Sequence, residues 1–232
     1  MTDSLSYEVR DTVAVITMDD GKVNALSHSM IESLQGALDR AEKEAKAVLL
    51  VGREGRFSAG FDLKTMMSGI EGAKGLLTAG SALFLRVYAF PRPVVAACTG
   101  HAMAGGALML LCSDTRIGAA GAFKIGLNEV AISMPLPILG QELARARLDP
   151  RRLTEAAVQA RIYDPEGARE VGYLDAVVPA EALLERAHAE AKRLGALPAA
   201  AYARTKTALR EQTIAYIRET AEADFKAMVP GS

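Results

Sequence analysis

Two short stretches of this sequence carry residue types suited to stabilising negative charge. They are Phe57-Ser58-Ala59-Gly60-Phe61-Asp62-Leu63 and Gly100-His101-Ala102-Met103-Ala104-Gly105-Gly106, small-residue turns that each feed a helical pattern. Small residues let the backbone approach a ligand, and the first N–H groups of the following helix lack intrahelical partners. Each turn can thus offer a backbone N–H to a developing negative charge. Two converging donors form an oxyanion hole, whose loss of one donor costs on the order of 100- to 1,000-fold in rate. One such turn alone is an ordinary strand-to-helix connection. Glu129, in Ile125-Gly126-Leu127-Asn128-Glu129-Val130, read by residue type alone is a solvated loop glutamate.

Other reactive side chains read as structural. His101 borders the second turn, but no serine or cysteine nucleophile with a supporting acid accompanies it. Asp114 reads as a local turn or cap, and Arg116 and Asp164 as structural. Cys98 and Cys112 lie in apolar surroundings, as buried reduced thiols do. The histidines His28, His101 and His188 show no metal-ligand spacing, so no metal site is expected.

The elements that must hold the turns follow an α/β order. Ser6–Asp11 and Val13–Met18 alternate as an opening hairpin. Ser29 and Glu32 stand three apart like a capping box ahead of a helix to about Glu44. Ala47–Val51 and Val94–Cys98 are continuous apolar runs of strand length, expected of strands buried on both faces. Between them lie the Gly55–Gly60 loop, a short helix opened by Asp62, and a helix from Gly75 to about Ala89. Ala104–Leu111 reads as an apolar helix and Thr115–Ile117 as a strand. Pro165–Val171 reads as a helix capped by Asp164 and ended by Gly172, followed by a strand at Tyr173–Val178. Repeated β-then-α units predict a mostly parallel, covered sheet. From about Ala180 onward only helices are expected, broken near Gly195, Pro198 and Glu211-Gln212, with a narrow apolar stripe of Ile217 and Phe225 on the last.

At 232 residues there is room for one α/β domain with a short appendage. The 27 basic and 28 acidic residues nearly cancel, so no global field favours nucleic acid or an anionic membrane. Every apolar stretch is interrupted before membrane-spanning length. Met1–Asp11 shows no secretory leader and Val229–Ser232 no familiar address, so a cytoplasmic protein is expected.

In order along the chain, Lys22-Val23-Asn24-Ala25-Leu26, Phe57 to Leu63, Pro93-Val94-Val95-Ala96-Ala97, Gly105-Gly106, Cys112-Ser113-Asp114 and Gly172 to Val178 resemble the crotonase superfamily of enoyl-CoA hydratases and isomerases. The resemblance covers almost the full length. It implies a ββα spiral at 1–188 holding an acyl-CoA site, and a C-terminal helical region at 189–232 that packs a homotrimer or a dimer of trimers. It implies that the oxyanion N–H groups are those of Phe61 and Gly105, and that Ala25, Ala59, Asp62 and Leu63 hold the CoA end of an acyl-CoA thioester, largely by backbone atoms. Lys22 or Lys64 could supply local charge for the CoA phosphates, although an exposed lysine is by default simply solvated, and by family analogy Phe225 and Lys226 would approach the adenine of the same or a neighbouring subunit.

Hydratases of the superfamily carry two glutamates, one three residues past the oxyanion glycine and one after the next strand. Here those positions are Leu108 and Glu129. Hydration in one pass needs two proton-handling groups, whereas moving a double bond from C3–C4 to C2–C3 needs one. The Δ3-Δ2-enoyl-CoA isomerases resemble this chain more closely still, sharing Phe-Ser-Ala-Gly, the leucine and the Ile-Gly-Leu-Asn-Glu string. That resemblance makes Glu129 the acid–base of an enoyl-CoA isomerase, walled by Leu108, Met109, Ile132 and Met134 so that desolvation raises its pKa. No cofactor beyond the CoA of the substrate is expected. A hydratase working with one glutamate and a non-catalytic acyl-CoA binding protein are the alternatives.

Overall fold

The computed structural model describes residues 4–228. The expected absence of an address at Val229–Ser232, and the first three residues of the leader reading, lie outside them. The chain opens with β1 (Leu5–Arg10) and β2 (Val13–Met18), an antiparallel hairpin turned by Asp11 and Thr12, both at positive φ as a tight two-residue turn requires. Then follow β3 (Ala25–Leu26), α1 (His28–Glu44), β4 (Ala47–Val51), β5 (Gly55–Ser58), β6 (Gly60–Phe61), α2 (Leu63–Met66) and α3 (Ile70–Ala89). The middle comprises β7 (Val94–Cys98), β8 (Gly100–Met103), α4 (Gly105–Cys112), β9 (Thr115–Ala119), β10 (Ile125–Gly126) and α5 (Ile138–Arg147). The rest is α6 (Pro165–Val171), β11 (Ala176–Val178), α7 (Leu183–Gly195) and α8 (Ala199–Met228).

Strands fall into a six-stranded sheet ordered β1-β2-β4-β7-β9-β11, parallel from β2 onward, a three-stranded parallel sheet β10-β8-β5, and the pair β3-β6. Successive turns each place a strand in the large sheet, one or more in the smaller sheets, and then a helix, which is the expected ββα spiral. The apolar runs are continuous because both faces of the large sheet are covered. Val48, Leu50, Val94 and Ala96 enter the core shared with α1, α3 and α4, while Ala47, Leu49, Val51, Val95 and Ala97 meet Leu183, Ala187 and Ala191 of α7. No helix among the described residues is long and apolar enough to cross a membrane.

Several boundaries differ from the sequence reading. Ser27, not Ser29, caps α1, accepting from the Met30 N–H at 3.2 Å. Helix α3 begins at Ile70, because tertiary packing tolerates Gly72 and Gly75, which weaken the helical pattern. Gly100–Met103 is a strand that pairs with β5 and β10 rather than a free turn. Tyr173 and Leu174 are not in a strand: both N–H groups donate to the Ala168 carbonyl in the cap that ends α6 at Gly172. Helix α8 runs unbroken through Glu211-Gln212, two residues with good helix propensity. It packs on α3 and α5, and Asp224 accepts the Ile138 N–H at 2.8 Å.

Candidate active site

The first turn is braced from a distance. Asn24, fully buried and at φ 52°, donates through Nδ2 to the carbonyls of Met18 at 2.8 Å and Phe57 at 3.2 Å. Ser58 Oγ donates to the Asn24 carbonyl at 2.7 Å and accepts from the Gly60 N–H at 3.2 Å. Asp20 accepts from the N–H groups of Lys22, Asn24 and Ala25. Burial pushes its pKa up, but those bonds, with Arg53 nearby, outweigh burial and hold it below the usual carboxylate range.

Phe61 pairs with Leu26 in the β3-β6 ladder, whose bond is made by the Asp62 N–H to the Leu26 carbonyl at 3.3 Å. Alternate residues face the partner in a parallel ladder, so the Phe61 N–H points away from β3. Its ring stands edge-on to Phe84, with centroids 5.8 Å apart. A Cβ on Gly80 would lie 2.2 Å from that ring, so glycine lets α3 pass over it.

The second donor comes from a strained junction. Ala104 sits at φ 49°, ψ −119°, a conformation that glycine adopts far more readily, and is followed by Gly105 at the start of α4. The Gly105 N–H therefore has no intrahelical partner. A Cβ on Gly60 would lie 2.9 Å from the Gly105 nitrogen, and Gly60 itself is at φ 90°. The two turns thus meet backbone to backbone.

Glu129 is brought to the second turn by the β8-β10 pairing. The Ala104 N–H donates to the Gly126 carbonyl at 3.1 Å, and Met103 pairs with Gly126. Glu129 opens a single 3-10 turn, Val130–Ile132, and its carbonyl accepts from Ile132 and Met134, both at 3.0 Å. The side chain is buried, and Oε2 has no hydrogen-bond partner among the described residues. Desolvation raises its pKa against the opposing pull of the Glu129 and Asn128 backbone N–H groups.

Leu108 is 3% exposed on α4 and Met109 is buried, as expected of apolar walls; Met134 is half-buried. Ile132 is a correction. It is 48% exposed, because the 3-10 turn carries it outward. Ala25 lies beside Gly60 through the β3-β6 pairing, and the Ala59 N–H donates to the Val23 carbonyl at 3.0 Å. Asp62 caps α2, accepting from Thr65 N at 2.8 Å and Thr65 Oγ1 at 2.7 Å; the Thr65 hydroxyl is the main cause of its lowered pKa. Leu63 and Lys22 are exposed, and the Lys22 carbonyl accepts from Arg53.

His101 Nδ1 accepts the Lys124 N–H, and its ring meets Phe123 edge-on, a structural role. Arg116 pairs with Asp175, and Asp164 caps α6. Cys98 and Cys112 are buried free thiols, both pushed up to about 12 by desolvation. Among the described residues no three His, Cys, Asp or Glu side chains cluster as metal ligands. A cavity of about 480 Å³ under α8, lined by Asp114, Tyr202, Lys206 and Arg210 among others, contains none of the expected site residues. A second, of about 410 Å³ and bordered by Val130, Leu136 and Ala157, opens beside the Glu129 turn. Sequence reasoning missed Asn24, Ser58 and the strain at Ala104 as parts of the site.

Comparison with known proteins agrees with this architecture. The family model for enoyl-CoA hydratase/isomerase matches residues 8–229. An enoyl-CoA hydratase/isomerase family structure from Pseudomonas syringae is 42% identical, with TM-score 0.95 over 98% of this chain and 99% of that one. The mitochondrial enoyl-CoA delta isomerase 1 of Homo sapiens is 32% identical over 223 residues, 94% of this chain and 74% of that protein. A probable enoyl-CoA hydratase of Bacillus subtilis is 35% identical over 135 residues, 56% of this chain and about half (52%) of that protein's length. The fold is the crotonase fold. The chain belongs to the enoyl-CoA hydratase/isomerase family of enzymes.

Proposed function

We propose that the chain isomerises a 3-enoyl-CoA to the trans-2-enoyl-CoA with Glu129 as the single acid–base group. One observation carries this reading: Glu129 is buried with an unpartnered oxygen, while Leu108, which by its spacing from Gly105 corresponds to the second glutamate of the hydratases this chain resembles, is buried and has no exchangeable proton. Glu129 takes the proton from C2, and the electron pair moves onto the thioester oxygen as a dienolate. The N–H groups of Phe61 and Gly105 bind that oxygen. The same carboxyl returns the proton at C4, leaving the double bond between C2 and C3. A raised pKa suits a group that must both take and release a proton.

No metal or redox cofactor enters this scheme, and CoA enters as part of the substrate. Ala25, Ala59, Asp62 and Leu63 are read as the CoA cradle, and Leu108 and Met134 as walls at the acyl end. A homotrimer or dimer of trimers is read from the family likeness. The likeness to the human delta isomerase favours isomerisation. The likeness to a probable hydratase favours, as a second reading, slow hydration by Glu129 alone.

Glu129→Gln tests the base. Isomerisation is expected to fall by about 1,000-fold with CoA binding retained. Isomerisation that survives the change contradicts the assignment, and a wild-type protein that binds acyl-CoA tightly but turns over neither 2-enoyl nor 3-enoyl thioesters is a binding protein.

A further inference from the structure

We propose that Tyr173 is a positioning residue for Glu129, its hydroxyl hydrogen-bonding to the ionised carboxylate and fixing the orientation from which the proton is moved. Tyr173 is 0% exposed, and its hydroxyl has no hydrogen-bond partner among the described residues. A phenylalanine would fill the same space without burying an unmatched donor, which costs about 1–3 kcal/mol. Glu129 Oε2 is the complementary case, a buried acceptor without a donor. Neither group is bonded to the other in this structure, and Asn128 Oδ1 next to Glu129 is a second unmatched acceptor. Buried polar groups are matched as a rule, and a side-chain rotation that pairs the Tyr173 donor with the charged oxygen makes the stronger bond.

The surrounding contacts bring these groups together. The Tyr173 backbone is held in the α6 cap by its N–H to the Ala168 carbonyl at 2.8 Å. Its ring packs against Tyr163 with centroids 6.0 Å apart, and Tyr163 exchanges two backbone bonds with Ile125, at 2.9 and 3.0 Å, four residues before Glu129. The Tyr173 hydroxyl lies toward the Leu127 backbone and feels the charges of Tyr163 and Glu129. Burial first, and then those charges, push the phenol pKa up, so the hydroxyl stays protonated and acts as a donor. On the other side, the groups facing the Glu129 carboxylate are the backbone N–H groups of Glu129 and Asn128. Tyr163 is itself engaged by Glu155 at 3.3 Å and by the Arg161 guanidinium over its ring.

The effect on rate rests on reading Glu129 as the acid–base group, but the hydrogen bond itself is testable without turnover. In full-length protein carrying ¹³C-labelled glutamate, the Glu129 carboxyl signal is assigned by its disappearance in Glu129→Gln and titrated in wild type and in Tyr173→Phe. A donor favours the ionised form, so its removal is expected to raise the Glu129 midpoint by about one pH unit. The acid limb of kcat/KM is expected to move up by the same amount, with kcat down about tenfold at neutral pH and KM nearly unchanged. A Glu129 midpoint that stays put or falls in Tyr173→Phe overturns the proposal. A wild-type protein without isomerase activity sinks the reading of function and leaves the titration standing.

Discussion

Two buried carboxylates in this chain have opposite surroundings. Asp114, at the end of α4, accepts from Lys206 Nζ at 2.7 Å, Arg210 Nη2 at 2.9 Å and the Val94 N–H at 2.8 Å. Lys206 is buried and Arg210 is half-buried, and burial pushes the Lys206 amine down to about 8 despite the attraction of Asp114. Among the described residues no cation pairs with Glu129, and one of its oxygens is unmatched. A carboxylate with both oxygens engaged, by two cations and a backbone N–H, fastens α8 to the large sheet and is poorly placed to exchange a proton. A carboxylate desolvated without a cation to balance it is costly to bury and ready to bind a proton, which is the mark of a functional acid. The 480 Å³ cavity beside Asp114 shows that open space alone does not locate the chemistry.

Breaking the contrast from the Asp114 side is expected to have the largest effect on folding. Asp114→Asn leaves buried Lys206 and half-buried Arg210 short of their counter-charge, which costs about 3–5 kcal/mol. A fall in Tm of about 6–20 °C by calorimetry, with turnover per folded molecule little changed, is the expected result. Removing the Glu129 charge acts in the opposite direction and depends on pH. Its folded pKa lies above the unfolded value, so the stabilisation it contributes is present below the ordinary glutamate value of about 4.5 and is lost as pH rises through the folded pKa. Glutamine has no such loss, so Glu129→Gln should match wild type near pH 4 and exceed it at pH 8 by about 1–3 kcal/mol. Melting curves at the two pH values check this. The smallest effect is sought at Ala104, where Ala104→Gly should relieve strain and raise stability by about 1 kcal/mol in denaturant titration.

What was legible in the sequence follows from the range of the forces involved. Ala47–Val51 and Val94–Cys98 declare themselves because a strand buried on both faces must be apolar throughout. The caps at Asp62 and Asp164 are local hydrogen bonds and could be read directly. Ser27 does not stand out in the sequence because Ser29 offers the same spacing signal, and glycines that packing tolerates hide the start of α3. Both small-residue turns and Glu129 were visible as motifs. The brace between Ser58 and Asn24 was not, because the partners are 34 residues apart, and neither was the backbone strain at Ala104, which no side chain announces. The sequence reads Tyr173 as strand because its residue type favours one, whereas the helix cap claims its N–H.

The proposed site has one proton-handling side chain. Its most direct test is the ratio of kcat/KM for a 3-enoyl-CoA, followed by isomerisation, to kcat/KM for the matching trans-2-enoyl-CoA, followed by hydration, on the same preparation of wild-type protein. Loss of one acid–base partner typically costs about 100- to 10,000-fold, so isomerisation should lead by at least about 100-fold. Hydration as fast as isomerisation or faster would contradict the account, because it would mean that a second group near Leu108 handles a proton.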